Sequence, residues 1–219
     1  MKSFVAPEFR GTLNLMATAA FGGAVAFIFA VLPPSQAKTK EVNAERLQAG
    51  RLEPWTGAAW PTFSLPDTRG DTLTLDAVRR HVAVVHFFAT WCQPCRDELP
   101  ALNRLVRRSH GKIRVLGVSV AEVDLAVRRF LSATPTAFPI LLDRDRTTAK
   151  AWKVATLPTS FVLDGDLHPR FVVEAEFDWD SIEPGAFAAK VGAVAAKAAI
   201  ETNATTRKKP KPITDANNQ

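Results

Sequence analysis

The chain has two cysteines, Cys92 and Cys95, and they stand where a continuous apolar run gives way to a helical pattern. His81–Phe88 (HVAVVHFF) reads as a buried strand, and Cys92–Arg108 as a helix with Leu99, Leu102, Leu105 and Val106 along one face. So short a connection ties the pair to the joint between a strand and a helix. Beyond it, Lys112–Val120 reads as a second strand and Ala121–Ala133 as a second helix carrying Val123, Leu125, Val127, Phe130 and Leu131. Strand, helix and strand in succession imply parallel pairing. Phe138–Leu142 comes next as a short strand and Asp145–Trp152 as a short helix. Thr159–Leu163 and Arg170–Glu174 flank Asp164-Gly165, a dipeptide that favours a tight hairpin, so these two strands are antiparallel. Pro184–Lys197, alanine-rich and preceded by acidic residues, closes the pattern as a last helix. The expectation is a three-layer α/β domain over residues 55–200.

The rest of the 219 residues divides around that domain. From Gly11 to Ala37 no side chain is charged, and Leu13 to Leu32 is long enough as a helix to span roughly 30 Å of hydrocarbon. Residues 11–34 are therefore read as a transmembrane anchor or signal, with 1–10 cytoplasmic and 35–54 a polar linker. A single span near the N-terminus exports the chain on its C-terminal side. Ser35-Gln36-Ala37 offers a small-x-small site, so cleavage at Ala37-Lys38 would release the domain instead. Residues 201–219 contain no Leu, Val, Phe or Trp, and their Arg207-Lys208-Lys209-Pro210-Lys211-Pro212 run reads as a disordered basic tail. The net charge of +6 is shared between the ends and the middle, and 18 basic against 16 acidic residues leave 55–200 almost neutral. No basic face is concentrated in the folded region, which argues against a nucleic-acid partner.

A disulfide closing so small a loop removes little entropy from the unfolded chain, so stapling explains Cys92 and Cys95 poorly. A zinc site would need further ligands, and His81, His86, His110 and His168 lack paired spacing. Redox chemistry fits. At a helix N-terminus, free N–H groups and the positive end of the dipole favour the thiolate of the first cysteine, so Cys92 attacks and Cys95, one turn on, resolves. No metal or other cofactor is expected.

The segment Ala89-Thr90-Trp91-Cys92-Gln93-Pro94-Cys95-Arg96-Asp97-Glu98-Leu99-Pro100-Ala101-Leu102 resembles the active-site segment of the membrane-anchored TlpA/ResA/CcmG branch of thioredoxin-like proteins. Trp60 to Gly70 looks like that branch's extra N-terminal hairpin, Phe138 to Asp143 like its third strand, and Leu157 to Asp164 like its cis-proline loop and the strand after it. The resemblance implies a thioredoxin fold with an N-terminal β-hairpin and a central insertion. It further implies a periplasm-facing thiol-disulfide oxidoreductase anchored in a bacterial inner membrane. Its clients would be cysteine-containing proteins such as apocytochrome c or copper and oxidase assembly proteins, and its electrons would come from a membrane thiol transporter.

The same resemblance assigns roles. Glu98, on spacing alone an ordinary exposed helix carboxylate, would be partly buried, would tune the cysteines and would accept the proton of Cys95. Leu157 and Pro158 would form a cis bond facing the disulfide, with the Leu157 backbone free to pair with substrate. Trp91 would cap Cys92 and pack against the partner chain. His86 departs from the branch's pattern: it is either a satisfied core group or a proton acceptor for Cys95, and a cationic His86 would make the disulfide more oxidising. Pro94 resembles the reducing members. Trp55, Trp60, Trp152 and Trp179 are read as packing residues. Two other functions compete. A copper chaperone of this fold would space its cysteines by three and supply a distal histidine, and a thiol peroxidase would need Thr where Ala89 stands.

Overall fold

The structure, a computed structural model, describes residues 50–57 and 60–207. The segments read as a cytoplasmic end, 1–10, and a membrane span, 11–34, lie outside the described residues, as do 35–49 and 208–219. Among the described residues no helix is long and apolar enough to cross a membrane.

The elements run β1 (Glu53–Pro54), β2 (Ser64–Pro66), β3 (Thr72–Thr74), β4 (Val82–Phe88), α1 (Gln93–Arg108), β5 (Ile113–Val120) and α2 (Asp124–Ala133), then β6 (Ile140–Asp143), α3 (Thr147–Ala151), β7 (Thr159–Leu163), β8 (Pro169–Val173) and α4 (Pro184–Arg207). Short 3₁₀ turns cover Leu75–Val78 and Trp179–Ser181. One six-stranded sheet has the order β1-β8-β7-β4-β5-β6, and β2 and β3 form the separate hairpin. β4, β5 and β6 are parallel, while β7 and β8 run antiparallel beside β4. This is the α/β layering that the alternation of elements predicts, in the thioredoxin-like arrangement that the resemblance implies.

Alternation along β4 separates the two layers. Val84 and Phe88 pack with Leu99, Leu102 and Leu105 of α1, Val127 of α2 and Phe187 and Val191 of α4. Ala83, Val85 and Phe87 face the other way, onto Leu75, Val78, Phe63 of the hairpin side and Ala149 and Trp152 at α3. His86 lies on the α1 side by this alternation, opposite Gly117 on β5 and Ser160 on β7. Gly117 leaves room there that a side chain would take, since a Cβ at this position would collide with Ile140 Cδ1.

Two boundaries differ from the sequence reading. β1 pairs Glu53 with Val172 and Pro54 with Phe171, so the sheet reaches back into the segment 35–54 read as linker. Two residues carry no periodicity to announce a strand. α4 continues to Arg207, seven residues into the segment 201–219 read as disordered. Extending a helix already nucleated fixes only one residue per added bond, and Lys197 and Glu201 stand one turn apart at 4.0 Å on the exposed side of the extension.

The strand registers set what meets at the C-terminal end of the parallel strands. Phe87 opposes Thr159, so Leu157-Pro158 arrives beside the β4–α1 loop. Val120 opposes Asp143, so the loops after β5 and β6 end at the same edge.

Candidate active site

Cys92 is the N-cap of α1, with extended backbone, and Pro94 sits in the first turn where its missing N–H costs nothing. The two sulfurs are joined in a disulfide with Cα atoms 5.3 Å apart. Cys92 Sγ accepts the Cys95 N–H at 3.3 Å, the bond a thiolate at this position would strengthen. Cys92 is 7% exposed, Cys95 is fully buried, and Trp91 beside them is 72% exposed. The pair is therefore asymmetric: a partner can reach Cys92 but not Cys95. Leu157-Pro158 is a cis peptide bond, with Pro158 buried and Leu157 half-buried.

Below the disulfide, Glu98 is buried on the same face of α1 as Cys95, one turn on. Its Oε1 accepts the Phe177 N–H at 2.8 Å and the Trp179 indole N–H at 2.9 Å. Its Oε2 has no hydrogen-bond partner and faces His86 Nε2, likewise unpartnered, at 3.9 Å. His86 Nδ1 and Ser160 Oγ share a hydrogen bond of 2.8 Å, as residues directly opposed across antiparallel strands can. Burial pushes the Glu98 carboxyl up to about 8, against the two donated bonds and with help from the Glu176 charge. Burial alone pushes His86 down to about 3. Both shifts have the same cause: a charge in this dry pocket has no water to solvate it, so near neutral pH the uncharged acid and uncharged imidazole win. When Nδ1–H donates to Ser160, Nε2 presents a lone pair to the Glu98 carboxyl, and the gap between them is a seat for one proton.

A second carboxylate holds the loop. Glu122, just beyond β5, accepts the Thr90 N–H at 2.9 Å, the Thr90 hydroxyl, and the Ser119 hydroxyl at 2.8 Å. Thr90 is thereby tied to the end of β5 two residues before the attacking sulfur.

The structure thus brings Cys92, Cys95, Glu98 and His86 into one column and places Trp91, Leu157 and Pro158 at its mouth. Trp179 is corrected: it is buried, but its indole N–H also holds Glu98, so it is not only a packing residue. Sequence reasoning does not find Ser160, Glu122 and Thr90, because nothing in their local pattern distinguishes them. Among the described residues no group of three or more His, Cys, Asp or Glu is placed to hold a metal ion. His168 stands edge-on to the Trp60 ring at 4.8 Å and 3.8 Å from Asp164.

An accessible sulfur at a helix N-terminus, a buried second sulfur and a cis-proline loop on one thioredoxin-like sheet define a protein thiol-disulfide oxidoreductase. Comparison with known proteins agrees. Residues 56–168 match the model of the AhpC/TSA family, and the chain belongs to that family. The thiol-disulfide oxidoreductase ResA of Geobacillus kaustophilus is 31% identical over 129 residues, which cover 58% of this chain and 74% of that protein. The ResA of Bacillus subtilis is 32% identical over 118 residues, 53% of this chain and 65% of that one. A Chlorobium tepidum structure assigned as thiol:disulfide interchange protein DsbE superposes with a TM-score of 0.55 at 24% identity, covering 66% of this chain and 99% of its own.

Proposed function

We propose that this domain is a reductase of disulfides in client proteins. It would work on the periplasmic side of a bacterial inner membrane, anchored by the N-terminal apolar segment, during cytochrome c maturation or assembly of oxidase copper sites. The Cys92 thiolate attacks one sulfur of the client disulfide, a client thiolate leaves, and a mixed disulfide forms. Cys95 then attacks Cys92 Sγ, the second client thiolate leaves, and the Cys92–Cys95 disulfide remains. Two electrons pass to the client, whose two thiolates take up protons, and a membrane thiol transporter restores the dithiol.

The observation that carries the direction is the uncharged pair beneath the sulfurs. A cationic histidine here would stabilise the thiolate form and make the disulfide a strong oxidant, as low-pKa cysteines do. His86, neutral by burial, supplies no such charge, and Glu98 when ionised opposes the thiolate. The relatives named thiol-disulfide oxidoreductase ResA support the exchange chemistry itself. Glu98, one turn beyond Cys95, takes the Cys95 proton as that sulfur attacks once its own carboxyl is ionised, above about pH 8, and His86 Nε2 faces that carboxyl as the second acceptor of the pocket. Trp91 and the backbone of Leu157, beside cis-Pro158, flank the client chain.

The test uses Cys95→Ser, which keeps the attacking sulfur and removes the resolving one. Mixed with a peptide disulfide of the apocytochrome haem-binding type, it accumulates a covalent adduct through Cys92 that dithiothreitol releases. Absence of the adduct, with Cys92 free to alkylation, refutes the two-step mechanism.

A further inference from the structure

Next to the disulfide a cleft of about 320 Å³ opens between the loops at the C-terminal edge of the sheet. Trp91 and Leu157, the chain neighbours of Cys92 and Pro158, both line it, so the cleft adjoins the residues that carry the reaction. Val120, Val154 and Thr156 line the interior, and Arg146 is the one charged residue in its lining. Three of the four large apolar side chains exposed among the described residues, Trp91, Val123 and Leu125, lie on the loops and helix start at this edge. Apolar surface of this kind beside a reactive group marks a place where another chain sits.

Arg146 separates this cleft from a merely greasy groove. Neighbouring arginines are paired: Arg144 reaches both Asp124 oxygens at 2.6 and 2.7 Å, and Arg128 reaches the same carboxylate at 3.3 Å. Among the described residues nothing pairs with the Arg146 guanidinium, and no carboxylate lines the cleft. Its backbone is held at φ 63°, a left-handed conformation that is unfavourable for a residue with a Cβ. The turn is fixed around it, because the Arg146 N–H bonds the Asp143 carbonyl while the Asp143 carboxylate takes the Thr148 and Ala149 N–H groups at 3.0 and 2.8 Å. An unpaired guanidinium on a rigid turn presents its planar donors to whatever enters.

We infer that the cleft is a subsite for an acidic client segment: an extended chain next to the target cysteine lays an apolar residue against Trp91 and Leu157 and gives a Glu or Asp carboxylate to Arg146. The inference rests on the reductase reading and names the substrate feature that reading leaves open. The positions to scan are the four residues on either side of the client cysteine, a reach of about 13 Å in an extended chain.

The test compares the full chain on peptide disulfides that differ only in one residue, Glu, Gln or Lys, placed at each of those positions, with bis(2-hydroxyethyl) disulfide as a neutral reference. The wild type favours the Glu peptide over the Lys peptide by about tenfold in kcat/KM at low salt for at least one position. Arg146→Glu inverts that ratio and Arg146→Asn, which tolerates the left-handed backbone, brings it near one. An unchanged ratio in both variants overturns the subsite while leaving the oxidoreductase reading intact. A wild type inactive on bis(2-hydroxyethyl) disulfide as well overturns the reading and the subsite with it.

Discussion

Glu98→Gln in the oxidised protein, where neither cysteine titrates, isolates the buried proton. Glu98 holds its proton up to about pH 8 in the folded chain, against 4.5 when unfolded. Over that interval the folded state binds more protons than the unfolded one, so stability falls as pH rises. The slope is about 1.4 kcal/mol per pH unit and the total is on the order of 5 kcal/mol. His86 has the opposite sign: its folded value of about 3 lies below 6.5, so the unfolded state binds more protons and stability falls as pH drops from 6.5 toward 3. Between about pH 4.5 and 6.5 the two slopes cancel, giving a plateau that declines on both sides. Glutamine keeps an acceptor for the Phe177 and Trp179 N–H groups but cannot ionise. The variant therefore loses the alkaline decline, and its advantage over the wild type grows from pH 4.5 to 8. Urea unfolding at half-unit pH steps reads this directly. A wild type and variant whose stabilities stay parallel across that window would refute a protonated Glu98.

Two further substitutions probe the parts around that proton. Trp179→Phe removes the indole donor to Glu98, costs about 1–3 kcal/mol, and extends the alkaline decline to higher pH, read in the same titration. Glu122→Ala leaves the Thr90 N–H without its acceptor, costs about 1–2 kcal/mol, and lowers turnover of peptide disulfides by loosening the loop before Cys92, whereas Glu122→Gln restores most of it.

The dithiol, its strand-to-helix setting and the alternation of strands and helices around it are legible in the sequence because each is local. Apolar run, cysteine spacing and helical period all lie within Val82–Arg108, and the Asp164-Gly165 hairpin announces the antiparallel pair. The surroundings of the dithiol are not local. His86 meets Ser160 through the β4–β7 register, Trp179 reaches Glu98 from 81 residues away, and Glu122 reaches Thr90 from 32. Sequence spacing foresees Glu98 beside Cys95 but reads it as exposed, whereas the Phe177–Trp179 turn donates two hydrogen bonds to it and buries it. Arg146 is unremarkable in the chain and becomes distinctive only through its place as the charged residue lining the cleft beside Trp91 and Leu157.

The reduction potential of the Cys92–Cys95 pair tests the central claim most directly. Equilibrated across redox buffers and tracked by Trp fluorescence or alkylation, the pair titrates at or below about −230 mV if an uncharged His86 and Glu98 make it a reductase. A midpoint above about −180 mV would contradict that account and make the protein an oxidant or isomerase of its clients.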